Sequence, residues 1–466
     1  MKSALALLTV CCVALLTWGC SDHLASVNEN PNAPERVEEP SLLLTQASLT
    51  ASRTVTSDAY ENGNLAGQYK SKSRFTSFEL LQWGGNSSTW RSLYRNLRDL
   101  SNVRTFGHEG YEAVATVLEV WTISLLTDLY GDIPYTEATQ GQASQNFTPQ
   151  FDNQEEIYSD LLLRLEEVNE AFADGLPNIA GDIIYGGDLS GWQRFANSLR
   201  LRLLMRLSEV APTIAAQGVA EIIADPAKYP LITSHAESAT LAYAQQQPDE
   251  HPWLNRDAAI DALALSDRLD TILQELDDPR REAWFLPTDA TGEIESIPHG
   301  LNESNSSGLP GSNYNRELLF LERSEGILLD YTEVAFILAE AAHRGWTDAN
   351  AEALFEEAVS SSFDYWGLVT PTDYFDRAGY DGTLERVITQ KWIALMGRDY
   401  QGWHEWVRTG YPSFISPGPD AVISEYPRRF EYPSEEFDLN AANAQEATSR
   451  LSNGNTLLSR KWWDAR

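Results

Sequence analysis

The chain has 466 residues and a formal net charge of −34, from 68 acidic and 34 basic residues. That balance argues against nucleic acid and anionic lipid as partners, since both would be repelled. The six lysines are Lys2, Lys70, Lys72, Lys228, Lys391 and Lys461. An acidic, lysine-poor surface suits a protein working in high salt, where screening removes self-repulsion; the alternative is an ordinary acidic extracellular protein. Unfolding midpoints measured against NaCl separate the two, and no gain in stability with salt removes the first.

The first 20 residues read as a bacterial lipoprotein export signal. Lys2 supplies the positive start, Ala4 to Leu16 an apolar run too short to span a bilayer, and Thr17-Trp18-Gly19-Cys20 the cleavage site. Cleavage before Cys20 makes it the acylated N-terminus and the membrane anchor. An ordinary secretory signal cut nearby is the alternative, because Trp18 is bulky where a small residue is usual. The three cysteines are Cys11, Cys12 and Cys20. A body acylated at Cys20 therefore has no disulfide and no cysteine metal site. No later run of 18 apolar residues follows, so the expectation is a soluble body on a lipid anchor.

Residues 20–40, with Asn28-Glu29-Asn30-Pro31-Asn32-Ala33-Pro34, read as an extended polar tether. Helical periodicity dominates from there. One stripe runs Tyr111, Val114, Leu118, Trp121, Leu125 and Leu129; a second Ile157, Leu161, Leu165, Val168 and Phe172; a third Trp192, Phe195, Leu199, Leu203, Leu207 and Val210. Further helices are expected at 90–106, 256–276, 326–344, 348–362 and 384–408. Strand-like alternation is scarce, so the fold class is mainly α. Ala351, Phe355 and Ala358, with Leu338 and Ala339 before them, follow the spacing of a tetratricopeptide-type hairpin, capped at Thr347 or Asp348.

Between 231 and 325 the texture changes to short runs dense in Pro, Asn, Ser and Gly, with Trp253, Trp284 and Tyr314 embedded. Phe78 to Trp90 is similar, with Trp83-Gly84-Gly85-Asn86 at a turn. Aromatic residues set in loops on a rigid helical scaffold suit a binding surface, and the alternative for each ring is a loop anchor tucked into the core.

Catalytic signatures are missing: no H-E-x-x-H, P-loop or G-x-S-x-G pattern occurs. His404-Glu405 on an amphipathic helix reads as surface or packing. Gly186-Gly187-Asp188-Leu189-Ser190-Gly191 only loosely resembles a cation-binding turn and better caps the following helix. Arg202 and Arg206, four apart, are either an anion clamp or part of a buried ion-pair network. A pair of carboxylates at glycosidase separation stays open. No cofactor or metal is implied, and calcium has no supporting motif.

Seven stretches, in order, carry a resemblance: Asn30-Pro31-Asn32; Trp90 with Tyr94; Tyr130-Gly131-Asp132-Ile133-Pro134-Tyr135-Thr136-Glu137-Ala138; Trp192 to Arg202; Gln390-Lys391-Trp392-Ile393-Ala394-Leu395; Arg408-Thr409-Gly410-Tyr411-Pro412; and Pro427 to Pro433 with Asn440 and Asn443. Together they resemble the SusD/RagB nutrient-binding lipoproteins, SusD-like branch, over nearly the whole chain after the signal. The resemblance implies a scaffold of tetratricopeptide-like helical hairpins (41–230 and 326–466) with a loop-rich binding face (231–325), after a 1–19 signal and a 20–40 tether. It implies anchoring on the outer membrane facing outward, a SusC-like TonB-dependent β-barrel as partner, and capture of glycans or other nutrients without catalysis. Ligand residues do not transfer by motif, so the expected contacts are the loop rings Trp83, Trp284 and Tyr314 with Asn313 as hydrogen-bond partner. A helical surface glycoside hydrolase or lyase, and an adaptor that binds protein tails, are the rival readings.

Overall fold

The computed structural model describes residues 39–466; Cys20, the export signal and nearly all of the tether lie outside them. The first helix, α1 (Pro40–Asp58), starts on a proline, whose fixed φ and missing N–H suit a first helical turn. It packs on α2 (Ser87–Arg104), which packs on α3 (Glu109–Tyr130), α3 on α4 (Gln154–Asp174), α4 on α5 (Leu189–Arg206), and α5 on α6 (Pro212–Ala224). Each helix thus buries its stripe against its neighbour in sequence, the behaviour of stacked hairpins. Helix α3 is apolar and long enough to cross a membrane, but nearly all of it is enclosed by other helices, so it is a core helix.

The chain leaves this stack for a loop-rich excursion containing α7 (Asp267–Glu275) and returns through α8 (Tyr331–His343), α9 (Ala351–Tyr365), α10 (Leu384–Ala394), α11 (Gln401–Thr409) and α12 (Ala441–Arg450). The α8–α9 hairpin packs extensively along its length, with Ala339, Phe355 and Ala358 fully buried. Its second helix is capped by Asn350, whose side chain accepts from the Ala353 N–H, rather than by Thr347 or Asp348.

Short strands pair antiparallel: β1 (Lys70–Lys72) with β5 (Leu263–Leu265), β2 (Ile133–Pro134) with β3 (Phe151–Asp152), and β4 (Ala239–Ala242) with β6 (Glu325–Leu329). Two of them correct expected helices, and a turn corrects a third. The 256–276 span is a turn of helix at Asp257–Ile260, then β5, then α7. The 326–344 span begins as β6, and Asp330 then caps α8 by accepting from the Glu333 N–H. The 384–408 span breaks after Ala394, where Gly397 and Asp399 take left-handed φ of 78° and 46°. Apolar spacing over these stretches records burial, which a strand satisfies as well as a helix does.

The irregular face is wider than residues 231–325. Residues 68–86 and 410–433 join it, tied by Gln68 Nε2 to the Ser416 carbonyl (2.7 Å), the Val422 N–H to the Leu80 carbonyl (3.1 Å), and the Asn302 N–H to Asp420 (2.9 Å). Gly300 and Gly418 let two of these segments touch: a Cβ on Gly300, which also sits at φ 78°, would lie 2.6 Å from the Gly418 Cα.

Candidate functional site

The helical scaffold holds its charges inside. Arg202 donates from Nε and Nη2 to both oxygens of Glu333 (2.7 and 2.6 Å) and from Nη2 to the Leu328 carbonyl (3.0 Å). Arg206 donates to Glu405 (3.0 Å) and Gln401 (2.7 Å), and its Nε lies 3.3 Å from Asp128. Arg408 forks onto both oxygens of Glu340 (2.6 and 2.7 Å) and also onto Glu405, which Lys391 reaches at 3.1 Å. Burial would raise the Glu405 carboxyl, but Arg408, Lys391 and Arg206 together hold it below the ordinary carboxylate range. Arg202 and Arg206 are therefore struts between helices rather than an anion clamp. His404 is fully buried beside Trp403 and Trp463, so it packs, and burial holds its imidazole well below the usual pKa. Asp188 caps α5 by accepting from the Ser190 N–H, and the adjacent glycine turn folds around Asp182, which accepts from the Gly187 N–H and Trp192 Nε1. Among the described residues no group of three or more His, Asp or Glu side chains is placed to hold a metal ion.

The expected ligand rings are part of the core. Trp83 is 8% exposed; it stacks on Phe78 at 4.5 Å, meets Trp403 edge-on, and donates Nε1 to the Phe78 carbonyl (2.8 Å). Trp284 is fully buried, edge-on to Trp366 at 5.5 Å. Tyr314, 1% exposed, stacks on Phe285, accepts from Asn64 Nδ2 (2.7 Å), and carries the Lys70 ammonium nitrogen 3.4 Å above its ring. Asn313 is half-buried and spends its amide on the Ile260 carbonyl and the Tyr314 N–H (2.7 Å each). These four positions are loop anchors. A segment with little regular structure of its own stays folded by pinning large rings into the body, and a buried ring has no face left to offer a ligand.

The exposed ring on this surface is Phe75, which is 66% accessible and sits at φ 58°. A non-glycine residue in that left-handed region is disfavoured by about 1 kcal/mol. An exposed ring gains little from burial to offset such a conformation, which marks the position for use. The Phe75 N–H donates to Glu303 (3.2 Å), fixing the turn. Beside the ring opens a recess of about 210 Å³ lined by Glu61, Lys72, Trp253, Ala258, Ala259, Ala262 and Leu263. Small alanines leave room for a planar ligand. Lys72 Nζ and a Glu61 carboxylate oxygen, 3.4 Å apart, supply donors and acceptors at the edge. Beneath, β1 is pinned by Glu79, which accepts from the Lys72 N–H (2.6 Å) and the Gly300 N–H (3.2 Å). Burial pushes the Glu79 carboxyl up to about 8, against the pull of those hydrogen bonds. The signal for Phe75 in the sequence is an aromatic among polar residues, Ser73-Arg74-Phe75-Thr76-Ser77, outside any apolar stripe.

A ring above a shallow, polar-edged recess, on loops held by a stack of helical hairpins, is the geometry of a binding surface for a small ligand. A SusD-like family model, described as starch-binding and associating with the outer membrane, matches residues 31–433. The chain belongs to this family. A SusD homologue from Bacteroides fragilis shares 26% identity and superposes with a TM-score of 0.79 over 92% of this chain and 100% of its own. A chitin-binding SusD homologue from Flavobacterium johnsoniae has the same fold at 21% identity, with a TM-score of 0.80 over 91% of this chain and 98% of its own. A chitin-binding protein superposes at 23% identity and a TM-score of 0.79, over 92% of this chain and 100% of its own. No curated protein sequence matches the chain. The mainly α, SusD-like architecture read from the sequence is thus the architecture observed.

Proposed function

We propose that this protein is a lipid-anchored lipoprotein of the outer membrane that faces outward, captures neutral glycans, and delivers them uncleaved to a SusC-like TonB-dependent transporter. Membership of a starch-binding, outer-membrane-associated family and likeness to two chitin-binding proteins support a glycan ligand. The observation that carries the site is the exposed Phe75 ring beside its recess. A pyranose laid on that ring buries its apolar face, while Lys72 and Glu61 at the edge orient its hydroxyls. A chain of formal net charge −34 disfavours anionic polysaccharides. Acylation at Cys20 keeps the body at the membrane, so capture raises the local concentration of ligand at the transporter mouth.

Calorimetry of the purified body with chitin and malto-oligosaccharides tests the reading. The wild type binds one class, and Phe75→Ala weakens binding by about 10- to 100-fold, the worth of one aromatic side chain removed from a contact. Equal affinity in a folded Phe75→Ala protein removes the site, and release of shortened sugars at catalytic speed removes the capture function. A lipid-free mature protein in cell fractions removes the anchor.

A further inference from the structure

The recess beside Phe75 has a floor and a rim of different chemistry. Its floor is hydrocarbon: Ala258, Ala259, Ala262, Leu263 and the edge of Trp253. Three polar groups behind that floor are spent inside the protein. Trp253 Nε1 donates to the Ser57 carbonyl (3.1 Å), the Ala262 carbonyl accepts from the Ser73 N–H (2.9 Å), and the Ala259 carbonyl accepts from the Ala262 N–H (3.3 Å). The rim is polar. Among the described residues the lining carries one cation, Lys72, and one carboxylate, Glu61, which stand 3.4 Å apart and both reach solvent. Their charges cancel, so the recess favours neither an acidic nor a basic substituent.

The alanines decide what the floor accepts. Ala258 and Ala259 lie on the short helical turn Asp257–Ile260, and Ala262 immediately precedes β5. A longer side chain at any of the three would fill the space. A sugar hydroxyl lowered onto this floor loses its water and meets no partner. A plain hexose stacked on Phe75 therefore leaves the floor unused. An ammonium group fares worse, since it is costly to desolvate and faces Lys72.

An acetamido group matches floor and rim together. Its methyl gains by leaving water for the alanines. Its planar amide stays at the rim, where the carbonyl accepts from Lys72, an ammonium with three N–H groups of which one is directed at Glu61. The second oxygen of Glu61 then serves a hydroxyl of the same sugar ring. On the reading of Phe75 as the ring that stacks the sugar, we propose that the recess beside it selects sugars bearing an N-acetyl substituent, and that Ala258, Ala259 and Ala262 set this preference. The Phe75 ring holds the pyranose, and the recess reads the group attached to it.

The test is calorimetry of the whole body of the protein with two ligands of the same linkage and length: chito-oligosaccharides, which carry the acetamido group, and cello-oligosaccharides, which carry a hydroxyl in its place. The acetylated chain is expected to bind about tenfold more tightly, the worth of one buried methyl and one added hydrogen bond. Ala259→Leu fills the recess. It erases the difference by weakening the acetylated chain, while the plain chain, held at Phe75, keeps its affinity. Ala258→Leu, at an exposed position, gives the same result where the first variant does not fold. Equal affinity for the two chains, tighter binding of the plain one, or a preference that survives in either folded variant overturns the N-acetyl selection and leaves the Phe75 site standing. Unchanged affinity for both chains in a folded Phe75→Ala protein, or no binding of either chain by the wild type, removes the sugar site and the selection with it.

Discussion

The helical half and the loop-rich half of this molecule differ in what ties their segments to one another. The hairpins bury charge: Arg202, Arg206 and Arg408 lie inside, each forked onto carboxylates from a neighbouring helix. The loops bury rings: Trp83, Trp253, Trp284 and Tyr314 are driven into the body from segments with little secondary structure. Helices satisfy their own backbone and can spare interior volume for ion pairs that fix the register of one hairpin on the next. Loops bury charge too, as in the fully enclosed Arg280–Asp278 pair (2.6 Å), but they also pin themselves by large rings, and what stays outside on that face, Phe75, is conspicuous.

The sharpest way to break this comparison is to remove one strut. Arg408→Ala leaves Glu340 and Glu405 buried without their fork. A loss of about 3–5 kcal/mol, or failure to fold, is expected in denaturant titration. A loss under about 1 kcal/mol would mean that water already solvates the network. On the other half, Trp284→Ala removes a fully buried ring against Trp366 and is expected to lose about 3–5 kcal/mol at most. Sugar affinity of the remaining folded protein should stay unchanged. Affinity lost in step with folding supports the anchor role; affinity lost in a protein of unchanged stability would return Trp284 to the binding surface.

The sequence announced these two halves unequally. The stripes of α3, α4 and α5 were legible because a helix that buries one face must repeat its apolar residues every three or four positions. The α8–α9 hairpin was legible because close approach demands small residues at Ala339 and Ala358 with Phe355 between them. The proposed ligand site was not. An aromatic in a loop has the same local signature whether it points in or out, as Trp83 and Phe75 show from opposite sides: both sit among polar and small neighbours, and only tertiary contact separates the buried ring from the exposed one. Strand β5 was hidden for a related reason, since enclosure on all faces erases the period of two, and β6 is too short, with Leu328 and Leu329 both buried at its end, to show one. The three segments that build the loop face are separated in the chain by long helical stretches, and the Gly300–Gly418 contact joining two of them leaves no trace in either local sequence.

The pH response adds a contrast between two carboxyls of the helical network and one beneath the loop face. Glu405 and Glu340 are held low by arginines. Their contribution is present above the ordinary carboxylate pKa and is lost as pH falls through their depressed values. Glu79, under β1, is raised by burial to about 8. The folded state keeps a proton there that the unfolded chain has released above about pH 4.3. Stability from this group is therefore full at low pH and falls as pH climbs toward 8, by about 1.4 kcal/mol for each unit of separation. Glu79→Gln loses one acceptor, for Lys72 or Gly300, and so starts slightly less stable, but it carries its protons at every pH. Its unfolding free energy should be flatter than the wild type between pH 5 and 8. An identical slope in both proteins would place the titrating group elsewhere.

The smallest expected effect is the most diagnostic, because it has the opposite sign from every other. Phe75 holds a left-handed backbone that glycine adopts freely. Its ring is two-thirds exposed, so removing it sacrifices little burial. Phe75→Gly should gain or at least hold stability, by up to about 1 kcal/mol, tempered by the greater freedom of glycine in the unfolded chain. In the same protein, oligosaccharide affinity should fall. A position whose removal strengthens the fold and weakens binding is one where the chain tolerates local strain for a purpose outside its own stability. If Phe75→Gly instead destabilises as Trp284→Ala does, the ring is one more anchor, and the distinction between the buried and the exposed aromatics of the loop face collapses.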